Sequence, residues 1–152
     1  MMLACKQVRL SGTIHVTLPP AEAFDLFTPT GERAWVVGWD PLFPSDVADE
    51  TSPGTVFQTE HDGPQTTWVV VRREQGEVIE YSRVTPGDRA GLVRVACSAE
   101  DNDITAVTVA YYLTALNADA NAALEEFADH YPDFLKHWRQ SIERARGEKG
   151  GS

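Results

Sequence analysis

Between Asn117 and Arg146, the apolar residues Leu124, Phe127, Tyr131, Leu135, Trp138, Ile142 and Ala145 recur at steps of three or four. On a helix they form one continuous stripe. Glu126, Asp129, Asp133, Lys136, Gln140 and Glu143 fall opposite, so the run predicts a helix with one face on a core and the other in water. Asp119, Glu125, Glu126 and Asp129 lead and Lys136, Arg139, Arg144 and Arg146 follow, an order that complements the helix dipole. Asn117 or Asp119 can cap the start and Gly147 the end. Pro132 removes a backbone donor and predicts a kink near Tyr131. At ~1.5 Å per residue the run reaches roughly 40 Å, long enough to lie across a sheet.

Upstream the period changes to two. Val8, Leu10, Ile14 and Val16 alternate with Arg9, Ser11, Thr13, His15 and Thr17, which predicts a half-buried strand. Pro19 and Pro20 stop it and suit a helix start, after which Ala23, Phe24 and Phe27 give one short apolar face. Pro29 ends that helix, and Gly31 to Trp35 reads as a second short helical turn before a loop, Gly38 to Gly54, rich in Pro, Asp and Ser. Further strands are expected at 56–61, 66–73, 77–84, 91–98 and 104–115, separated by Asp62-Gly63-Pro64, Gln75-Gly76, Pro86-Gly87-Asp88 and Asp101-Asn102-Asp103. Such short turns make consecutive strands antiparallel neighbours. A sheet of this size around one helix cannot be filled by that helix's side chains, so a cavity is expected between them.

Composition bounds the picture. The 152 residues fit one domain, with an ordered core expected over about 8–146. A net charge of -10 argues against a nucleic-acid surface or an anionic membrane as partner, and no apolar stretch is long enough for a membrane span. Cys5 and Cys97 are too few for a disulfide scaffold and lack metal-ligand spacing. The cytoplasm is the default compartment, no metal or cofactor is called for, and a homodimer is compatible with a sequence that sets no oligomeric state.

Strand, two short helices, antiparallel strands and one long helix is an α+β order. Together with Pro19-Pro20-Ala21-Glu22-Ala23-Phe24, Glu32-Arg33-Ala34-Trp35 and Thr105-Ala106-Val107-Thr108-Val109, it resembles the START-like, or SRPBCC, helix-grip superfamily from about Val8 to Arg146. That superfamily includes polyketide cyclases, the birch pollen allergen and lipid-transfer START domains. The resemblance implies a curved antiparallel sheet wrapped around the C-terminal helix, with a deep, largely apolar cavity between them. It also implies that Trp35 stands at the cavity mouth, with Trp39 nearby; the alternative is that both simply plug the open end of the sheet.

Alternation assigns an inward face to Trp68 and Val70, to Ile79, Tyr81 and Arg83, to Val93, Val95 and Cys97, and to Val107, Val109, Tyr111 and Leu113. Candidate ligand contacts are therefore Trp35, Trp39, Phe57, Thr59, Trp68, Tyr81, Arg83, Tyr111, Phe127 and Trp138. Tyr81 and Arg83 are expected to fix a polar ligand end. Otherwise Arg83 reaches solvent or pairs with Glu60 or Glu32. His61 can be an acid or base or a plain strand-end residue, and no catalytic residue can be named. His130 and His137 lie ~10 Å apart along a helix axis, too far to share a metal ion. Three functions follow: binding a small hydrophobic or amphipathic molecule, a cyclase or dehydratase of the polyketide type, and, more weakly, a protein-interaction role like that of the heat-shock ATPase activators. Binding leads, because no paired acid and base is evident inside.

Overall fold

A computed structural model describes residues 4–60 and 63–150 of the chain. The period-two segments form β1 (Gln7–Val16), β2 (Val56–Thr59), β3 (Thr66–Glu74), β4 (Val78–Thr85), β5 (Arg89–Asp101) and β6 (Ile104–Ala115). They make one antiparallel sheet in the order β1-β6-β5-β4-β3-β2. Consecutive strands from β2 to β6 are neighbours because their turns are short, and β1 closes the row by pairing with β6. The inward sets read from alternation are buried, from Trp68 and Val70 on β3 to Val107, Val109, Tyr111 and Leu113 on β6; Arg83 is half-buried. β2 stops at Thr59, short of the expected end, and His61 lies outside the described residues.

Between β1 and β2, Pro20 opens α1 (Pro20–Asp25) at a position where its missing N–H is harmless. Ala23 and Phe24 are buried there. A single 3₁₀ turn, Gly31–Ala34, follows.

The C-terminal run is not one kinked helix. A 3₁₀ turn (Ala118–Ala120), capped by the Asn117 side chain at 3.2 Å from the Ala120 amide, leads into α2 (Asn121–Asp129) and then α3 (Tyr131–Gly150). The break falls at His130, whose φ of −106° and ψ of 14° leave the helical region. Pro132 accounts for it: without an N–H it cannot bond the Ala128 carbonyl, whereas as the second residue of a new helix it needs no partner. Nor does Gly147 end α3. It takes no positive φ, and the backbone stays helical to Gly150.

Leu124, Tyr131, Leu135 and Ile142 are buried, and α3 lies on β1. Gly12 permits the approach: a Cβ there would stand 2.5 Å from Leu135 Cδ1. The Tyr131 hydroxyl donates to the Val109 carbonyl at 2.6 Å, tying the start of α3 to β6. Six strands at ~4.8 Å spacing are about 24 Å wide, and one helix covers only ~10–12 Å. Beyond β1 and β6 the concave face is therefore left to other elements and to empty space.

Candidate functional site

That space is a cavity of about 710 Å³, within the roughly 300–1,000 Å³ usual for small-molecule sites. Strand residues Trp68, Tyr81, Arg83, Val93, Tyr111 and Leu113 face it from the sheet; Phe127, Phe134 and Trp138 come from α2 and α3; Phe27, Glu32, Trp35 and Trp39 come from the segment after α1. Register brings the sheet residues together, since Trp68 pairs with Arg83, Tyr81 with Val93 and Val93 with Tyr111 across adjacent strands. The rings of Trp35 and Trp138 meet at 5.0 Å, joining the 3₁₀ turn to α3 over the cavity.

Nine of the ten candidate contacts border this space, and Phe57 is the exception. It is wholly buried behind Trp68, ring on ring at 5.8 Å, with Tyr81, Phe43 and Trp39 around it. Its role is to back the wall. Trp138, on the helix stripe and also among the candidate contacts, is half-buried on the cavity side.

Several polar handles are already used. Trp35 Nε1 donates to the Leu26 carbonyl at 2.8 Å and Trp39 Nε1 to the Pro29 carbonyl at 2.7 Å, so both indoles border the cavity and also pin the loop that closes it. Trp68 Nε1 donates to Thr59 Oγ1 at 2.9 Å. The Tyr81 hydroxyl donates to the Phe27 carbonyl at 2.7 Å, so its proton is committed to the loop while its oxygen can still accept. A buried tyrosine placed beside a loop carbonyl satisfies that carbonyl first.

Arg83 is different. Its Nη2 donates to Thr85 Oγ1 at 2.9 Å, its Nε is buried without a partner, and its guanidinium makes no ion pair among the described residues. Neither Glu60 nor Glu32 pairs with it. The neighbouring Asp88 is taken by Arg89 at 2.5 Å. Burial, more than any nearby charge, disfavours the charged form of Arg83.

Glu32 completes the polar inventory; the sequence offered it only as a possible partner for Arg83, not as a cavity residue. Burial pushes its carboxyl well above the usual carboxylate range. The signal that could have found it is spacing: in a 3₁₀ turn residues three apart eclipse, so Glu32 shares a face with Trp35. The Tyr111 hydroxyl is also pushed up, first by burial and then by Glu32, with Arg83 acting in the opposite sense. His137 borders the cavity as well, while His130 sits on the exposed surface 3.8 Å from Asp133. Among the described residues no three His, Cys, Asp or Glu side chains converge as metal ligands, and no helix is long and apolar enough to cross a membrane.

No protein-family model matches the chain, and no curated protein does. Solved structures do match. An uncharacterised protein from Rhizobium leguminosarum superposes with a TM-score of 0.65 at 18% identity, covering 93% of this chain and 97% of that one. Norcoclaurine synthase from Thalictrum flavum, in complex with dopamine and hydroxybenzaldehyde, gives 0.64 at 7% identity over 95% of this chain and 89% of the other. CalU16 from Micromonospora echinospora gives 0.57 at 16% identity over 98% and 95%. At these identities the likeness is one of architecture: by its six-stranded antiparallel sheet, C-terminal helix and intervening cavity, this chain has the helix-grip fold that these structures share.

Proposed function

We propose that the chain binds a small, mostly apolar molecule in this cavity, with an anionic or carbonyl head on Arg83. The observation that carries the reading is the guanidinium itself: a cation bordering an aromatic cavity, oriented by Thr85 and Trp68, with no carboxylate partner among the described residues. Placing such a charge away from water costs several kcal/mol unless an opposite charge arrives to complete it. Trp35, Trp68, Tyr111 and Trp138 supply flat apolar walls for the rest of the molecule. That norcoclaurine synthase, with the same fold, holds dopamine and hydroxybenzaldehyde supports a ligand of this size.

Native mass spectrometry of freshly purified protein tests the reading, with a retained small molecule as the expected result. A bare protein mass, combined with no quenching of Trp fluorescence by fatty acids, steroids or aromatic acids, overturns it.

Glu32 favours a second reading, a polyketide cyclase or dehydratase type of enzyme in the same cavity. A half-buried carboxyl on the cavity wall that favours its protonated form can hand a proton to a departing hydroxyl. Release of water from a β-hydroxy ketone by the wild type but not by Glu32→Gln would support it.

A further inference from the structure

Glu32 is placed to do something that binding through Arg83 leaves unused. Its backbone is fully committed: the amide donates to the Thr28 carbonyl at 3.2 Å, and the carbonyl accepts from the Trp35 and Val36 amides at 3.2 and 2.8 Å. Its side chain makes no hydrogen bond or ion pair among the described residues, and it borders the cavity with Phe27, Trp35 and Tyr111. Three groups that could have satisfied it are engaged elsewhere. Arg33, next in sequence, turns outward to Asp40 at 2.9 Å; Arg89 holds Asp88; and the Tyr81 hydroxyl is bound to Phe27. The other acid in this region, Glu50, accepts from the Thr30 amide and hydroxyl at 3.2 and 2.7 Å. The Tyr111 hydroxyl has no hydrogen bond among the described residues either, and it lies within electrostatic reach of both Glu32 and Arg83.

We propose that Glu32 is the second polar contact for the cavity's ligand, a neutral carboxylic acid that donates its O–H to an uncharged carbonyl or hydroxyl oxygen. With Arg83 on the acidic head, the ligand class becomes a flat aryl acid or enolate that carries a further oxygen away from that head. The inference rests on the reading of the cavity as a site for an Arg83-directed anion. An amine on Glu32 fits less well, because Arg83, Arg89 and Arg144 border the same cavity and repel a cation. Burial without a basic partner favours the protonated carboxyl, which is a donor.

Anthracene carboxylate and anthraquinone carboxylate test it, since they share ring skeleton and acid and only the second has ketone oxygens. Titrations followed by Trp fluorescence should show the wild type preferring the anthraquinone by about tenfold, the size of one buried hydrogen bond. Glu32→Gln should keep that preference through its amide N–H. Glu32→Leu should abolish it, bringing the two acids to similar affinity. A preference that survives in Glu32→Leu, or that falls as far in Glu32→Gln as in Glu32→Leu, overturns the assignment and leaves the Arg83 reading standing. Wild-type protein that binds neither acid overturns the Arg83 reading, and this inference with it. Difference infrared spectroscopy gives a check without the leucine variant: a protonated carboxyl band should shift on binding the anthraquinone and be missing in Glu32→Gln. An unchanged spectrum overturns the proposal.

Discussion

The guanidinium carbon of Arg83 stands 5.1 Å from the centre of the Trp68 ring, and Nη2 reaches Thr85 rather than any carboxylate. Trp68 is itself fixed, stacked on Phe57 and bonded through its N–H to Thr59. Thr85 in turn shares a 2.6 Å hydrogen bond with Thr66. Neutral groups therefore aim the cation without neutralising it. An arginine remains charged in this setting, so the cost of its burial is kept as a preference for an incoming anion.

Arg83→Ala should weaken an anionic aromatic ligand by ~1.5–3 kcal/mol, the usual worth of a charge-assisted hydrogen bond, and leave a neutral analogue almost unaffected. Equal weakening of both would make Arg83 structural. Arg83→Met should melt no lower than the parent, because removing a partly buried charge that has no counter-charge is neutral or stabilising. Fluorescence titration and thermal melting measure the two effects separately.

Tyr81→Phe separates structure from ligand contact. The variant leaves the Phe27 carbonyl without its donor, a loss of about 1–3 kcal/mol in stability. Affinity for the same ligands should change by less than about twofold, since the hydroxyl's proton is already given to that carbonyl and an anionic or carbonyl head needs a donor. A large loss of affinity with unchanged stability would restore Tyr81 as a ligand contact.

Much of this was legible because period-two alternation survives folding. Val107, Val109, Tyr111 and Leu113 had to share a face, and the buried sheet surface decided which one. Arg83 was legible by the same rule, as a charge on an otherwise apolar side. The helix stripe had the right period, yet the break at His130 was hidden, because one proline is compatible with a kink or with a fresh start at its second position. Phe57 and Tyr81 were placed on the correct face, but alternation cannot tell a residue that borders a cavity from one behind it, or a free hydroxyl from a committed one. Glu32 was legible only as a possible partner for Arg83, because a short helical turn over Gly31 to Trp35 does not say which of its polar residues faces the cavity until the threefold period is known.

Gly31→Ala should disturb the site from outside it. A Cβ there would lie 1.8 Å from the Asp25 carbonyl oxygen and 2.6 Å from Thr28 Oγ1, the group that accepts from the Gly31 amide. Backbone cannot yield as a side-chain tip can, so the turn carrying Glu32 and Trp35 has to move, at ~1–3 kcal/mol or more in stability. Ligand affinity should fall in parallel. Gly12→Ala is the control: its clash is with the tip of Leu135, which can rotate, so it should melt closer to the parent. If both variants melted like the parent, the packing described for the two glycines would be wrong.

Cys97 provides a prediction in pH. It faces inward on β5, 8% exposed, and burial pushes its thiol from 9.0 up to about 11. The folded state therefore keeps a proton that the unfolded thiol releases, so the contribution is fully present below the unfolded value and is lost as pH rises toward the folded one. Stability should fall across pH 9 to 11 by up to ~1.4 kcal/mol per unit of the displacement. Tyr81, Tyr111 and Tyr131 are raised by burial too and act in the same sense at higher pH, so the Cys97 part has to be read as a difference. Denaturant unfolding of the wild type and of Cys97→Val at pH 8 and at pH 10 supplies that difference. The variant should lose less stability than the wild type between the two conditions, and pulse labelling of the wild type at pH 8 should modify Cys97 only at the rate of unfolding. Equal losses in the two proteins, together with rapid labelling of the folded chain, would mean that this thiol is not held behind the sheet.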